Sequence, residues 1–280
     1  MDDAALRHVW RRLATAAQPP WLHAEVARRM ADRLAILRQP PRAVVDWYAA
    51  DGASTAALKA ACPQAPPVRI QHDDAPAADH APPWWSPRRW RGASGLQPAE
   101  ALAPGTADLL WANMGLHWCV DPLAEMRRWQ ELLAVDGFLM FSTLGPGSLA
   151  SLRELYAAQG WSAPFAPFVD MHDLGDMLVQ AGFADPVMDQ ETLTLTWADG
   201  AALLAELRGL GGNVDPARAP GLRTPRWREA LVRALQPAAG ERSALAFEVV
   251  YGHAVRPRPR PRVAAETRVG LEDMRSILRR

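Results

Sequence analysis

The order of apolar and polar positions divides the chain into a helical front, an α/β middle and a mixed end. Leu22, Val26, Met30, Leu34 and Leu37 recur at helical spacing with arginines opposite, which predicts a helix packed along one stripe. Pro19-Pro20 separates it from a shorter helix near 4–16, and Pro40-Pro41 ends it. Ala43-Val44-Val45-Asp46-Trp47 reads as a strand, then a loop at 48–52, a short helix near 53–61 and a strand at Val68-Arg69-Ile70. Residues 73–106 carry no regular period. Ala107 to Asn113 has the continuous apolar pattern of a buried strand. A helix near 121–134, a Val135-Asp136-Gly137 turn and the strand Phe138-Leu139-Met140-Phe141-Ser142 follow. Strands alternating with helices predict a parallel sheet with crossover helices. Helices near 147–159 and 171–182 precede a strand near 186–197. Helices at 199–210 and 225–236 flank a Gly/Pro-rich stretch, and Ala244–Val255 is a long β run.

Composition narrows the class. The 280 residues are 49% hydrophobic and 22% charged, with a formal net charge of +0. That suits a globular chain with a sizeable core and gives no bulk attraction to nucleic acid or membrane. No apolar run approaches the roughly 20 residues that span a bilayer. The start, Met1-Asp2-Asp3, lacks the charge pattern of a signal peptide, so a cytoplasmic protein is expected. Cys62 and Cys119 have no metal-site or CxxC spacing and are expected as buried thiols. Lys59 is the only lysine, so nearly all positive charge is arginine, whose planar fork pairs carboxylates. The alternating Arg256-Pro257-Arg258-Pro259-Arg260-Pro261-Arg262 favours an extended, solvated chain. The domain is therefore expected to cover 1–255, with a flexible tail at 256–280 and a short amphipathic helix at 270–279.

Five stretches carry a family resemblance. They are Asp-Leu-Leu-Trp-Ala-Asn-Met-Gly-Leu-His-Trp at 108–118, Phe-Ser-Thr-Leu-Gly-Pro-Gly-Ser-Leu at 141–149, and Met-His-Asp-Leu-Gly-Asp-Met-Leu at 171–178, continued by 181–189 and 247–254. Together they resemble the malonyl-carrier-protein O-methyltransferases of biotin synthesis. The resemblance implies an α/β class I methyltransferase (Rossmann-like) fold with a seven-stranded, mostly parallel sheet. It also implies a C-terminal antiparallel hairpin, N-terminal helices at 1–41 and a helical lid insertion at about 199–240. S-adenosylmethionine is the implied methyl donor, and an acyl-carrier protein or acyl thioester the implied substrate partner.

The family's donor loop, Asp-x-Gly-x-Gly-x-Gly, falls on Asp46-Trp47-Tyr48-Ala49-Ala50-Asp51-Gly52 and keeps only Asp46 and Gly52. Glycines there permit a tight turn and close backbone approach to a ligand. Tyr48 adds a large side chain, and Asp51 adds a negative charge near the donor's carboxylate. By the resemblance Asp46, Gly52, Asp73 and Asn113 contact the donor, Asp73 (or Asp74) at the ribose. The acid that flanks the adenine has no counterpart, Pro98 standing near that register, and Ala16-Ala17 stand where the family's N-terminal tyrosine is expected. Asn113, His117 and Thr143 belong to the methyl-transfer site, at the strand ends where open α/β sheets bind ligands. Arg153 and Arg226, with Arg223 nearby in sequence, are candidates to hold a malonyl carboxyl group.

Bland readings stand beside these. His117 reads either as a site residue or as a cap or core histidine. Gly147-Ser148 reads as an anion-binding helix start or a plain cap. His172-Asp173 reads as a helix start capped by Asp173, and His253 as a structural histidine. Trp84-Trp85-Ser86-Pro87-Arg88-Arg89-Trp90-Arg91 reads as a loop over the sheet edge, or as a surface for bases or an acidic carrier protein. Carboxyl methylation needs alignment more than acid–base help, which accounts for the lack of a catalytic dyad. Tyr48, Ala50 and Asp51 also support an alternative, a non-catalytic methyltransferase-fold protein that binds or regulates a partner.

Overall fold

A computed structural model describes residues 1–37, 39–71, 96–221, 223–237 and 241–259. The candidates Asp73 and Asp74, the Trp84–Arg91 segment and the helix expected at 270–279 lie outside the described residues. Helices α1 (Asp3–Thr15) and α2 (Trp21–Arg33) lead into β1 (Val44–Asp46), α3 (Thr55–Ala61), β2 (Val68–Gln71) and β3 (Leu96–Pro98). Then come β4 (Ala107–Ala112), α4 (Pro122–Leu132), β5 (Leu133–Leu144), α5 (Ala150–Ala158) and α6 (Met171–Gln180). The chain continues through β6 (Ala184–Trp197), α7 (Gly200–Leu210), α8 (Pro225–Ala234) and β7 (Ser243–Val255). Asp2, Asp121, Asp170, Asp199 and Thr224 cap α1, α4, α6, α7 and α8 by accepting backbone N–H groups, as small polar residues do at helix starts.

The strands form one seven-stranded sheet in the order β3-β2-β1-β4-β5-β7-β6. β1 to β5 pair in parallel, and β7 runs antiparallel between β5 and β6. This is the architecture implied by the resemblance, including the antiparallel C-terminal hairpin. The alternation of the strands sends Val45, Leu110 and Leu139 to a core shared with α1, α4 and α6. It sends Val44, Leu109 and Met140 to a second core shared with α2, α3, α7 and α8. The expected stripe of α2 is real: Leu22, Val26, Met30 and Leu34 are buried. Both cysteines are buried thiols, in no disulfide among the described residues. No helix among the described residues is long and apolar enough to cross a membrane.

Two local expectations fail. Val135-Asp136-Gly137 is not a separate turn before a strand, because β5 begins at Leu133 and runs through it, with Asp136 at φ 64°. The chain after β7 causes this: Asp136 N–H donates to Arg256 O, and Arg256 N–H to Gly137 O, each at 2.9 Å. A Cβ on Gly137 would lie 2.7 Å from Ala134 O and 2.9 Å from Ala107 O, so the close approach needs glycine. The helix expected from 147 starts at Ala150, because residues 145–149 are tied to β7 instead.

The helical insertion is fastened to the front of the chain. Arg12 donates to Arg208 O at 2.9 Å and Gly211 O at 2.7 Å. Asp2 N–H donates to Val214 O at 2.9 Å, and the Asp2 carboxylate pairs with Arg218 at 2.8 Å.

Gly252, in β7, shows how tightly the sheet face is filled. A Cβ there would fall 2.2 Å from Cε1 of the fully buried Phe141. Overfilling such a site costs about 2 kcal/mol. Gly252→Ala is therefore expected to lower the unfolding free energy by that amount and the urea midpoint with it, and an unchanged midpoint would show that Phe141 has room to move.

Candidate functional site

The site is built where β1, β4 and β5 end. Asp46 closes β1 and is 1% exposed, and neither carboxylate oxygen has a hydrogen-bond partner among the described residues. Burial pushes its pKa up to about 8, the Arg69 charge pulls it down and the Asp51 charge pushes it up. Burial without a partner disfavours the charged form.

The next residues form a turn that is closed by side chains. Tyr48 sits at φ 57°, ψ 29° and Gly52 at φ 75°, the left-handed region that glycine enters freely and tyrosine does not. Arg69 donates to Ala49 O at 2.6 Å. The Asp51 carboxylate accepts from Ala53 N–H at 2.9 Å and meets His23 Nδ1 of α2 at 2.6 Å. The Tyr48 ring turns inward, 5% exposed. It stacks on Trp10 of α1 at 5.4 Å and meets Trp129 of α4 edge-on at 6.2 Å. Its hydroxyl donates to Glu125 at 2.8 Å, and the Trp47 indole N–H donates to the same carboxylate oxygen at 2.7 Å.

The loop after β4 closes onto this ring. A Cβ on Gly115 would lie 2.1 Å from Cδ2 of Tyr48. Asn113 donates to His23 O at 2.9 Å and accepts from Ser142 Oγ at 3.0 Å. Both polar ends of Asn113 are thus engaged inside the protein, where they join β4 to α2 and β5. Met114 N–H donates to Ser142 Oγ at 3.0 Å, and Met114 sits at φ 50°.

His117 and Thr143 come together as their strand-end positions suggest. The His117 ring Nδ1 lies 3.4 Å from Thr143 Oγ1. Burial, reinforced by nearby His23, holds the His117 pKa well below its ordinary value. Both line a cavity of about 30 Å³ together with Met1, Cys119 and Phe168, space for about one water. Phe168 stands edge-on to His117 at 5.8 Å and stacks on Phe165 at 5.2 Å. Exposed Arg153 lies over Phe165 at 5.1 Å. Aromatic contacts therefore connect Arg153 to His117. Arg226 is exposed on α8 and has no ion pair among the described residues, and no recorded contact brings it to His117. Arg223 lies over Trp227 at 4.6 Å and donates to Ser162.

The other candidates are engaged by contacts within the protein, and neither Ser148 nor Asp173 caps a helix. Gly147 N–H faces the Glu248 carboxylate at 3.4 Å, and Ser148 Oγ bonds Glu248 O at 2.9 Å, so a protein carboxylate already fills that turn. Asp170, not Asp173, caps α6 and also meets His172 Nδ1 at 2.8 Å. Half-buried His253 stacks on Phe138 at 5.3 Å.

Two residues of the site were not foreseen from the sequence, His23, which pairs with Asp51, and Glu125. His23 left a faint signal as a histidine beside Leu22 on the buried side of α2. Glu125 left none, since it stands 77 residues from the tyrosine it holds. In this arrangement the donor loop leaves no open space at its methionine end, while Asp46 and Gly52 keep their places in it. The Tyr48 ring fills the space between that loop and Gly115, and the Asp46 carboxylate behind it is unmatched.

Comparison with known proteins places the chain in a family. No family model matches the chain. Among solved structures, the YcgJ protein of Bacillus subtilis covers 84% of this chain and 99% of its own, with TM-score 0.53 and 11% identity. A Bacillus halodurans protein designated a methyltransferase gives TM-score 0.52 at 13% identity, over 82% of this chain and 98% of its own. These likenesses show the fold. Sequence relatives go further. The malonyl-[acyl-carrier protein] O-methyltransferase of Laribacter hongkongensis is 36% identical over 90% of this chain and 88% of its own. Those of Gallionella capsiferriformans (33%; 93% of each chain) and Halorhodospira halophila (35%; 92% and 89%) match in the same way. The chain belongs to the malonyl-[acyl-carrier protein] O-methyltransferase family, whose methyl donor is S-adenosylmethionine.

Proposed function

We propose that the chain moves a methyl group from S-adenosylmethionine onto the free carboxylate of a malonyl group carried on acyl-carrier protein, a step of biotin synthesis. One observation carries this reading. Relatives named for that activity match about nine-tenths of the chain. A carboxylate is ionised at neutral pH and is its own nucleophile, so the protein's work is alignment and exclusion of water. His117 and Thr143 line the acceptor side, and Asn113 fixes the strand ends around them. Arg153, connected to His117 through Phe165 and Phe168, is the arginine for the malonyl carboxyl, and Arg226, exposed on α8, is left to the surface around the acceptor. Asp46, Gly52 and Asp73 are assigned to the donor side.

The test is transfer of a labelled methyl group to malonyl-carrier protein, with acetyl-carrier protein, which has no free carboxylate, as control. A base-labile ester on the malonyl form alone is expected. No label on either would remove this reading and leave the non-catalytic, partner-binding one.

His117 supplies a finer prediction. Because burial keeps it neutral across the physiological range, it serves Thr143 as a hydrogen-bond partner and not as a titrating base. His117→Asn is expected to slow transfer about tenfold by misalignment while leaving the rate–pH curve between pH 6 and 8 unchanged in shape. An inflection present in the native protein and absent from the variant would make His117 a base.

A further inference from the structure

The donor loop and the ring that fills it belong to one device. We propose that the Tyr48 side chain is a built-in plug of the donor's methionine subsite, latched by Glu125, and that the donor enters only when this ring swings out. The inference rests on the methyltransferase reading above and deepens it.

Four observations point the same way. Tyr48 stands at the first glycine position of the family's loop pattern and keeps a glycine's backbone, at φ 57°. A tyrosine is strained in that backbone region, so the packing of the ring must offset the strain. The ring is packed on three sides, stacked on Trp10, edge-on to Trp129 and pressed against Gly115, where even a Cβ would sit 2.1 Å away. Its hydroxyl is held by Glu125, which also holds the preceding Trp47, so one carboxylate fixes two consecutive residues of the loop. Finally, Asp46 lies two residues behind the ring, buried and without a hydrogen-bond partner among the described residues. A buried acid left so calls for an explanation, and a ligand that enters beside it supplies one.

Glu125 lies in the first turn of α4 and is half-buried, so its contacts can break without dismantling a core. A swing of Tyr48 would remove a ring from beside Gly115, on the edge where β1 and β4 end. The loop's remaining side chains, Ala49 and Ala50, are small.

The experiment is calorimetric titration of the full chain with S-adenosylhomocysteine, which cannot react. The native protein is compared with Tyr48→Gly and Glu125→Ala, each first shown to unfold cooperatively. Binding at least tenfold tighter in Tyr48→Gly, and severalfold tighter in Glu125→Ala, is expected. Stopped-flow association should level off with ligand concentration in the native protein, where opening limits it, and rise linearly in Tyr48→Gly. Equal affinity in all three proteins would overturn the plug and leave the methyltransferase reading intact. Binding by none of them would overturn both. Should Tyr48→Gly fail to fold, the comparison of Glu125→Ala with the native protein decides, and equal affinities there overturn the plug.

Discussion

Replacing Asp46 with asparagine is expected to stabilise the protein above pH 7, although it removes a carboxylate from the donor loop. The folded pKa of Asp46 is pushed up to about 8 by burial, against about 3.9 in an unfolded chain. Between those values the folded state holds a proton that the unfolded state has released. Stability then falls as pH rises, and the loss is complete above pH 8. Each unit of that interval is worth about 1.4 kcal/mol, so the advantage of the variant should grow by up to about 4 kcal/mol between pH 5 and pH 8.5. His117 works in the opposite sense. Its folded pKa is depressed, so its contribution is present above the unfolded value and lost as pH falls below about 6.5. Subtracting native from variant stability at each pH cancels His117 and isolates Asp46. Urea titrations at pH 5, 7 and 8.5 supply the comparison, and a constant difference across them would mean that Asp46 is ionised throughout.

Trp129→Ala should have a comparable effect with no pH dependence. Trp129 is fully buried on α4, against Tyr48 and Phe141 at 6.2 and 5.9 Å. Deleting so large a side chain from a packed core costs about 4 kcal/mol. Trp129→Phe should cost far less, under about 1.5 kcal/mol, because the indole N–H has no hydrogen-bond partner among the described residues and none is lost. Both variants are measured by chemical unfolding. If phenylalanine proves as costly as alanine, shape and not buried volume is what this position supplies. The alanine variant also removes the edge-on neighbour of Tyr48, so its loop should exchange amide protons faster.

The sheet was legible because its inner strands are long apolar runs. β4, β5 and β7 announce themselves, and their order followed from alternation with helices and from the family resemblance. β3 did not, because it has three residues, one of them Pro98, which only an edge strand tolerates. The start of β5 was misplaced because Asp136 and Gly137 read as a turn, and only the returning Arg256 backbone extends the strand through them. The meeting of His117 with Thr143 could be foreseen, since each follows an obvious strand in the sequence. The substitutions in the donor loop were equally visible, but their direction was not. A tyrosine at a glycine position does not reveal whether it points to solvent or inward. That depends on Trp10, Glu125 and Trp129, which reach the loop from two helices distant in sequence.

Met1 lines the cavity beside His117, and Asp2 is bound to Val214 and Arg218 of the helical insertion. Met1 is therefore part of the wall of the site, and its neighbour Asp2 moors that wall to the insertion. Removing the Asp2 carboxylate would loosen the wall without touching His117 or Thr143. Asp2→Ala should then differ from the native protein in acceptor binding, although every side chain that lines the cavity is unchanged.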